Sequence, residues 1–210
     1  MKHAILMSLL LISAASADAQ VMGGDEPFVE VGVKLGGDLQ HISAPISVGP
    51  GVIAGGYARK DIGRFGVRIE IMGNYCNYAT KYPAAYYLIH TPTMDTLSKG
   101  EFQGIGISVP VMVEYQVNKK LKVLAGPQYR QLVSLSDKND AYTTLYGKNS
   151  FLKKGDFSIV AGAELAVKKK FSLGARLMKG VTDINKSPYY LAPKTWTTTG
   201  FQVAVSYKIL

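Results

Sequence analysis

Few residues in this chain have the types and spacing that chemistry needs. His41-Ile42-Ser43 has the spacing at which an imidazole can activate a hydroxyl nucleophile. The pair is expected in a loop, where a bare His-x-Ser carries little catalytic meaning. His90 is isolated, and no Cys/His/Asp cluster has zinc or copper spacing, so neither a metal nor a cofactor is expected. Cys76, the single cysteine, has no internal partner for a disulfide and reads as a small strand residue. The unusual chemistry lies in charges embedded in apolar runs. In GAELAVKKKFSLGARL, residues 162–177, Glu164 and Arg176 interrupt alternating Ala, Leu, Val and Phe.

The elements that must hold those two charges are strands. Beyond the N-terminus helical periodicity is nearly absent, and alternation with a period of two recurs. Strands are expected at 28–37, 50–59, 65–77, 102–117, 121–134, 157–168, 171–181 and 200–209. Short turns (59–64, 118–120, 169–170) alternate with long segments (38–49, 78–101, 135–156, 182–199). This order suits an up-and-down antiparallel barrel whose ends face different compartments. Bacterial outer-membrane barrels have such an architecture, with an even strand number, short periplasmic turns and long extracellular loops. The expected fold is therefore an all-β, eight-stranded antiparallel transmembrane barrel. Most of these segments also reach the roughly 9–11 residues of a tilted membrane-spanning strand.

Sorting each strand by face gives an apolar set suited to lipid and a small or polar set suited to a lumen. The inward set holds Glu30, Glu70, Glu114 and Glu164 together with Lys34, Arg68, Arg130, Arg176 and Lys208. On the lipid face a midplane Arg or Lys would cost about 2–4 kcal/mol. Inside, carboxylates and guanidinium groups can pair through two hydrogen bonds. An eight-stranded barrel is just wide enough for its side chains to fill it. The charges are thus expected to form an ion-paired plug. Glu164 and Arg176 can be neighbours only if the turn between them holds an odd number of residues. The second strand, GVIAGGYAR, is too rich in glycine for a face to be assigned. Tyr57, Tyr75, Tyr115, Tyr129 and Tyr207 fall near strand ends and are expected in aromatic girdles at the interfaces.

The first 19 residues read as a cleaved secretory signal peptide: Lys2, an apolar stretch from Ala4 to Ile12, then Ala17-Asp18-Ala19 as a small-x-small cleavage site. Residues 20–210 would then form one barrel domain in the bacterial outer membrane. The formal charge of +9 could point to nucleic acid, but export argues against it. Many of the basic residues crowd into the short turns. The long segments are aromatic, and Tyr86, Tyr87, Tyr146, Phe151, Tyr190 and Trp196 are candidate contact residues there. Lys148, Lys153 and Lys154 lie near Phe151, where they could meet anionic lipopolysaccharide.

The stretches VEVGVKLGGDL, ISVPVMVEYQV, VLAGPQYRQLV, LGARLMKGVTDI and VSYKI resemble the outer-membrane barrel family widespread in Bacteroidetes, often labelled PorT-like. That resemblance implies an architecture similar to small OmpA- and OmpX-type barrels, without a catalytic signature. Where the family closes on an aromatic residue, this chain ends Tyr207-Lys208-Ile209-Leu210. The resemblance implies no agreed ligand; the expected partners are outer-membrane lipids and lipopolysaccharide, with the barrel-assembly machinery during insertion. The sequence reading is a non-enzymatic barrel serving envelope integrity or surface interaction. The alternative is an accessory to a protein secretion or assembly machine, with an envelope protein as partner. A narrow pore, a lipid A deacylase of the His-x-Ser type and a soluble exported barrel are further readings.

Overall fold

The computed structural model describes residues 29–43, 49–82, 98–137, 154–184 and 195–210. They form eight strands: β1 (Glu30–Ile42), β2 (Gly49–Ile62), β3 (Phe65–Tyr82), β4 (Ser98–Gln116), β5 (Leu121–Asp137), β6 (Gly155–Ala166), β7 (Phe171–Gly180) and β8 (Thr198–Lys208). Each pairs antiparallel with the next, and β1 pairs with β8 from Gly32↔Lys208 to Ile42↔Thr198. The sheet is therefore a closed up-and-down barrel, in which every backbone N–H and C=O can bond without water and no strand edge is left open. Among the described residues no helix is long and apolar enough to cross a membrane.

The turns on one side are tight. Ile62 pairs with Phe65, so Gly63-Arg64 closes the first hairpin, four residues shorter than the 59–64 turn expected from sequence. Gly63 has φ +63°, the left-handed conformation that two-residue hairpins demand and that glycine adopts without steric cost. In the next turn Asn118 Oδ1 accepts from the N–H groups of Lys120 and Leu121, at 2.8 and 2.9 Å, and replaces missing ladder bonds. The third turn is Lys168–Lys170, because Val167 N–H donates to Phe171 O. It holds an odd number of residues, so Glu164 and Arg176 share a face.

Toward the opposite side several strands run further than alternation suggests. β1 continues to Ile42 instead of stopping at 37, and β3 and β4 stay paired out to Tyr82↔Ser98. There both faces leave the hydrocarbon, so polarity stops alternating while backbone pairing continues. In β5 the register shifts between Ile105↔Ser134 and Gly106↔Leu132, which leaves Val133 as a bulge residue.

The faces divide sharply. Val33, Ile107, Val113, Ile159 and Val205 point outward and are exposed, and Leu35 and Leu177 are 62% and 63% exposed. Met112 and Val160, which point inward, are 1% and 0% exposed. An apolar belt of this extent needs lipid around it. It argues against a soluble barrel, since among the described residues no helix covers it. Outward aromatic pairs stack at both margins: Phe65–Tyr115 at 5.2 Å and Phe171–Tyr207 at 4.9 Å beside the short turns, and Tyr129–Phe157 at 4.9 Å toward the other end. Tyr57 does not join a girdle. In β2 the odd-numbered positions face inward, and Tyr57 is buried in the lumen at 5% exposure.

A depth-dependent cost follows for charge on the outer face. Val203, at the centre of β8, is expected to lose about 2–4 kcal/mol on Val203→Arg, whereas Val167→Arg beside the third turn should cost about 0–1 kcal/mol. Urea unfolding in lipid vesicles, followed by fluorescence of the single tryptophan, measures both. Equal costs at the two positions would contradict a bilayer centred on Val203.

Candidate functional site

From the short-turn end upward, the inward side chains change in the same order on strand after strand. On β3 the order is Arg68, Glu70, Met72, Asn74; on β4 it is Glu114, Met112, Pro110, Ser108; on β6 it is Glu164, Gly162, Val160, Ser158, Asp156. The lumen is thus layered: an ionic layer near the short turns, an apolar layer, then a polar layer.

The ionic layer is built around β3. Arg68 donates Nη1 to Glu164 Oε2 at 2.6 Å and Nη2 to Glu164 Oε1 at 3.0 Å. Arg176 forks in the same way onto Glu70, at 2.7 and 2.6 Å. These are bidentate guanidinium–carboxylate pairs, the strongest geometry available to such groups. In a ring of eight, β3 and β7 are diametrically opposed, so the Arg176–Glu70 pair spans the lumen. Lys34 Nζ adds a contact to Glu70 at 3.4 Å, and Ser172 Oγ donates to Glu164 at 2.7 Å. Arg68 Nε lies 2.5 Å from Glu114 Oε1, and Arg59 Nε lies 3.7 Å from Glu114 Oε2. Neither Glu114 oxygen has an aligned hydrogen bond, so this carboxylate is held by proximity of charge rather than by directed donors. Arg59 also donates to Glu30 at 2.8 Å, and Lys208 Nζ lies 3.4 Å from Glu30. Arg59 and Lys122 share Asp61, at 3.0 and 3.4 Å.

Small residues make room for these groups. A Cβ at Gly162 would stand 2.7 Å from Arg176 Cγ, and one at Gly32 would stand 2.5 Å from the Tyr57 ring. Tyr57 in turn donates its hydroxyl to Glu30 at 3.0 Å and lays its ring 4.7 Å from the Arg68 guanidinium carbon.

Of the nine charges sorted inward from sequence, eight meet in this layer: Glu30, Lys34, Arg68, Glu70, Glu114, Glu164, Arg176 and Lys208. Glu164 and Arg176 are not bonded to each other. Gly174 and Gly162 stand directly opposite them, and each side chain takes its partner from β3. Arg130 lies apart, in the upper layer. It donates to Gln40, and its Nη2 donates to Asp156 at 3.1 Å. Asp156 also accepts from Thr198 at 2.7 Å and Thr182 at 2.9 Å. Sequence reasoning missed Tyr57, Arg59, Asp61, Lys122 and Asp156. Tyr57, Arg59 and Asp61 recur at odd positions, a period-two signal that the glycines of β2 obscured.

Between the two polar layers lie Met112, Leu124, Val160 and Met178 in one cluster and Ile53, Met72 and Ala204 in another. Above them, Ile42, Ile184 and Trp196 are buried. Trp196, expected among exposed contacts, is 4% exposed, and its backbone N–H donates to Asp183 Oδ1 at 2.9 Å. Tyr86, Tyr87, Tyr146, Phe151 and Tyr190 lie outside the described residues, as do His90, Lys148 and Lys153. His41 sits on the outward face of β1 rather than in a loop, because the β1 ladder extends to Ile42↔Thr198. Ser43 Oγ accepts from Thr197 N–H at 2.9 Å and helps join β1 to β8. Among the described residues no group of three His, Cys, Asp or Glu side chains could hold a metal ion.

A closed eight-stranded barrel with an apolar belt, aromatic margins and a charged interior is an integral protein of the bacterial outer membrane. Residues 19–186 match the family described as outer membrane protein beta-barrel domain, and the chain belongs to that family. No curated protein matches the chain. Among solved structures it is similar to Neisserial surface protein A, at 14% identity and TM-score 0.53, over 85% of this chain and 97% of that one. OprG from Pseudomonas aeruginosa aligns over 86% and 94% of the two chains, at 9% identity and TM-score 0.48. Ail from Yersinia pestis aligns over 86% and 98%, at 11% identity and TM-score 0.45. At these identities the likeness is one of fold.

Removing one partner from a buried ion pair typically costs about 3–5 kcal/mol, because the other charge is stranded. Arg68→Met strands Glu164 and weakens the hold on Glu70 and Glu114, so a loss of at least that size is expected in urea unfolding. Glu164→Gln should destabilise more than Glu114→Gln, since Glu164 accepts three directed hydrogen bonds and Glu114 accepts none. Equal midpoints for those two variants would show that directed bonding adds nothing to charge proximity here.

Proposed function

We propose that the protein is a non-enzymatic barrel with a plugged lumen, serving envelope integrity or surface interaction through the segments that join its strands on the long-loop side. One observation carries this reading: the lumen is occupied along its length by packed side chains, with Arg68 at 0% and Glu70 at 1% exposure in the ionic layer. Bidentate pairs that span the lumen oppose a conducting path, because an ion would have to break charge-assisted bonds between buried side chains to pass. Outer-membrane lipids and lipopolysaccharide are the surroundings such a barrel meets, and the barrel-assembly machinery is its partner during insertion. In this reading residues 1–19 are a signal peptide removed on export, and the finer kinship is with the PorT-like outer-membrane barrel family widespread in Bacteroidetes.

Planar-bilayer recording tests the plug. The purified barrel is expected to give no discrete conductance steps at neutral pH. Reproducible steps that vanish when the barrel is unfolded would replace this reading with a narrow pore. A deletion strain tests the role: sensitivity to detergents and bulky antibiotics should rise while lipid A keeps its mass. A change in lipid A acylation would instead indicate an enzyme.

A further inference from the structure

The short-turn rim carries a second charge pattern that the lumenal network does not use. Arg64 stands in the first turn, Lys119 and Lys120 in the second, and Lys168, Lys169 and Lys170 in the third, all of them exposed. Among the described residues none of these six has an ion-pair partner. Asp61, at the end of β2 beside the first turn, is already shared by Arg59 and Lys122. The three turns join β2–β3, β4–β5 and β6–β7, so the positive charge recurs at every second strand around the barrel. A ring suits an annulus of small ligands better than it suits one protein docked on one side.

The depth of the ring is set by its neighbours. Arg64 adjoins Phe65 and Lys170 adjoins Phe171, and both rings belong to the outward aromatic pairs that mark the membrane margin. Lys170 Nζ also lies 5.8 Å from the Tyr207 ring centroid, on that same girdle. Arg64 and Lys170 therefore stand one residue beyond the aromatic margin, and the other cations of the same turns lie at or beyond that level, at the depth of lipid phosphates. We propose that this rim binds the phosphate headgroups of anionic phospholipids in the periplasm-facing leaflet and so fixes the barrel's depth and its lipid annulus.

The test uses the full chain folded into phosphatidylcholine vesicles, with trace spin-labelled phosphatidylglycerol or spin-labelled phosphatidylcholine. The motionally restricted fraction reports the lipid shell. A basic residue at an anionic surface is worth about fivefold in affinity. The wild-type barrel should prefer phosphatidylglycerol, and the preference should shrink in high salt. The triple variant Lys168→Gln, Lys169→Gln, Lys170→Gln should lower it about fivefold or more, while urea stability changes little, because the three side chains are exposed and Lys170 gives up only its surface contact with the Tyr207 ring. Equal restriction of both lipids in the wild type would overturn the proposal, as would a preference untouched by the triple variant. A third arm incubates the barrel with isolated peptidoglycan sacculi. Sacculus binding that the triple variant abolishes, without any lipid preference, would assign the ring to the cell wall instead and overturn the proposal equally.

Discussion

The structure depends on the demand that a strand crossing hydrocarbon place each charge where another charge can meet it. The Arg68–Glu164 and Arg176–Glu70 pairs meet that demand inside a barrel that is closed and narrow. Closure removes the sheet edges that lipid cannot satisfy. Narrowness brings β3 within side-chain reach of β6 and β7. Because the partners come from across the lumen, the pairs tie together strands that share no backbone hydrogen bonds. The backbone ladders hold neighbours, and the ionic layer holds opposites.

That arrangement constrains the remaining interior. Long guanidinium side chains need space where they cross, and residues without side chains provide it, as Gly162 does for Arg176 and Gly32 does for Tyr57. The main ionic layer stands at the short-turn end, the Arg130–Asp156 pair stands in the polar layer beyond, and Met112, Met72 and Met178 fill the layer between. Flexible thioether chains suit a cross-section whose outline is set by the barrel rather than by the packing. Prolines are admitted where the ladder tolerates a gap. The pairing of β3 with β4 skips the position of Pro110, and that of β4 with β5 skips the position of Pro127.

Much of this was legible in the sequence because a strand encodes its faces with a period of two. Val29 to Leu35 against Glu30 to Gly36, or Phe171 to Leu177 against Ser172 to Arg176, specifies which residues face lipid without reference to any other strand. Alternating short and long connections then specify the up-and-down order. Two kinds of information were not legible. Where glycines replace side chains, as in β2, the period has nothing to mark it, so Tyr57 read as a girdle residue and Arg59 as part of a turn. Partner choice across the lumen is also absent from local pattern. It depends on strand tilt and register summed around the ring, which is why Glu164 and Arg176 share a face yet each reaches for β3.

The ionic interior also bears on how such a chain reaches its membrane. A lumen filled with apolar side chains could pack as well, and replacing a buried ion pair by well-packed apolar groups is often neutral or stabilising. Such strands, however, would be apolar on both faces. Several joined by short turns would approach the roughly 20-residue apolar run that reads as a membrane-spanning helix. Glu70, Arg68, Glu164 and Arg176 interrupt such runs in β3, β6 and β7 while costing nothing on the lipid face. Unfolded, they keep the chain soluble; folded, they find one another across the lumen. A plug made of charges thus satisfies two solvents in succession, water before insertion and lipid after it, and an apolar plug satisfies only the second.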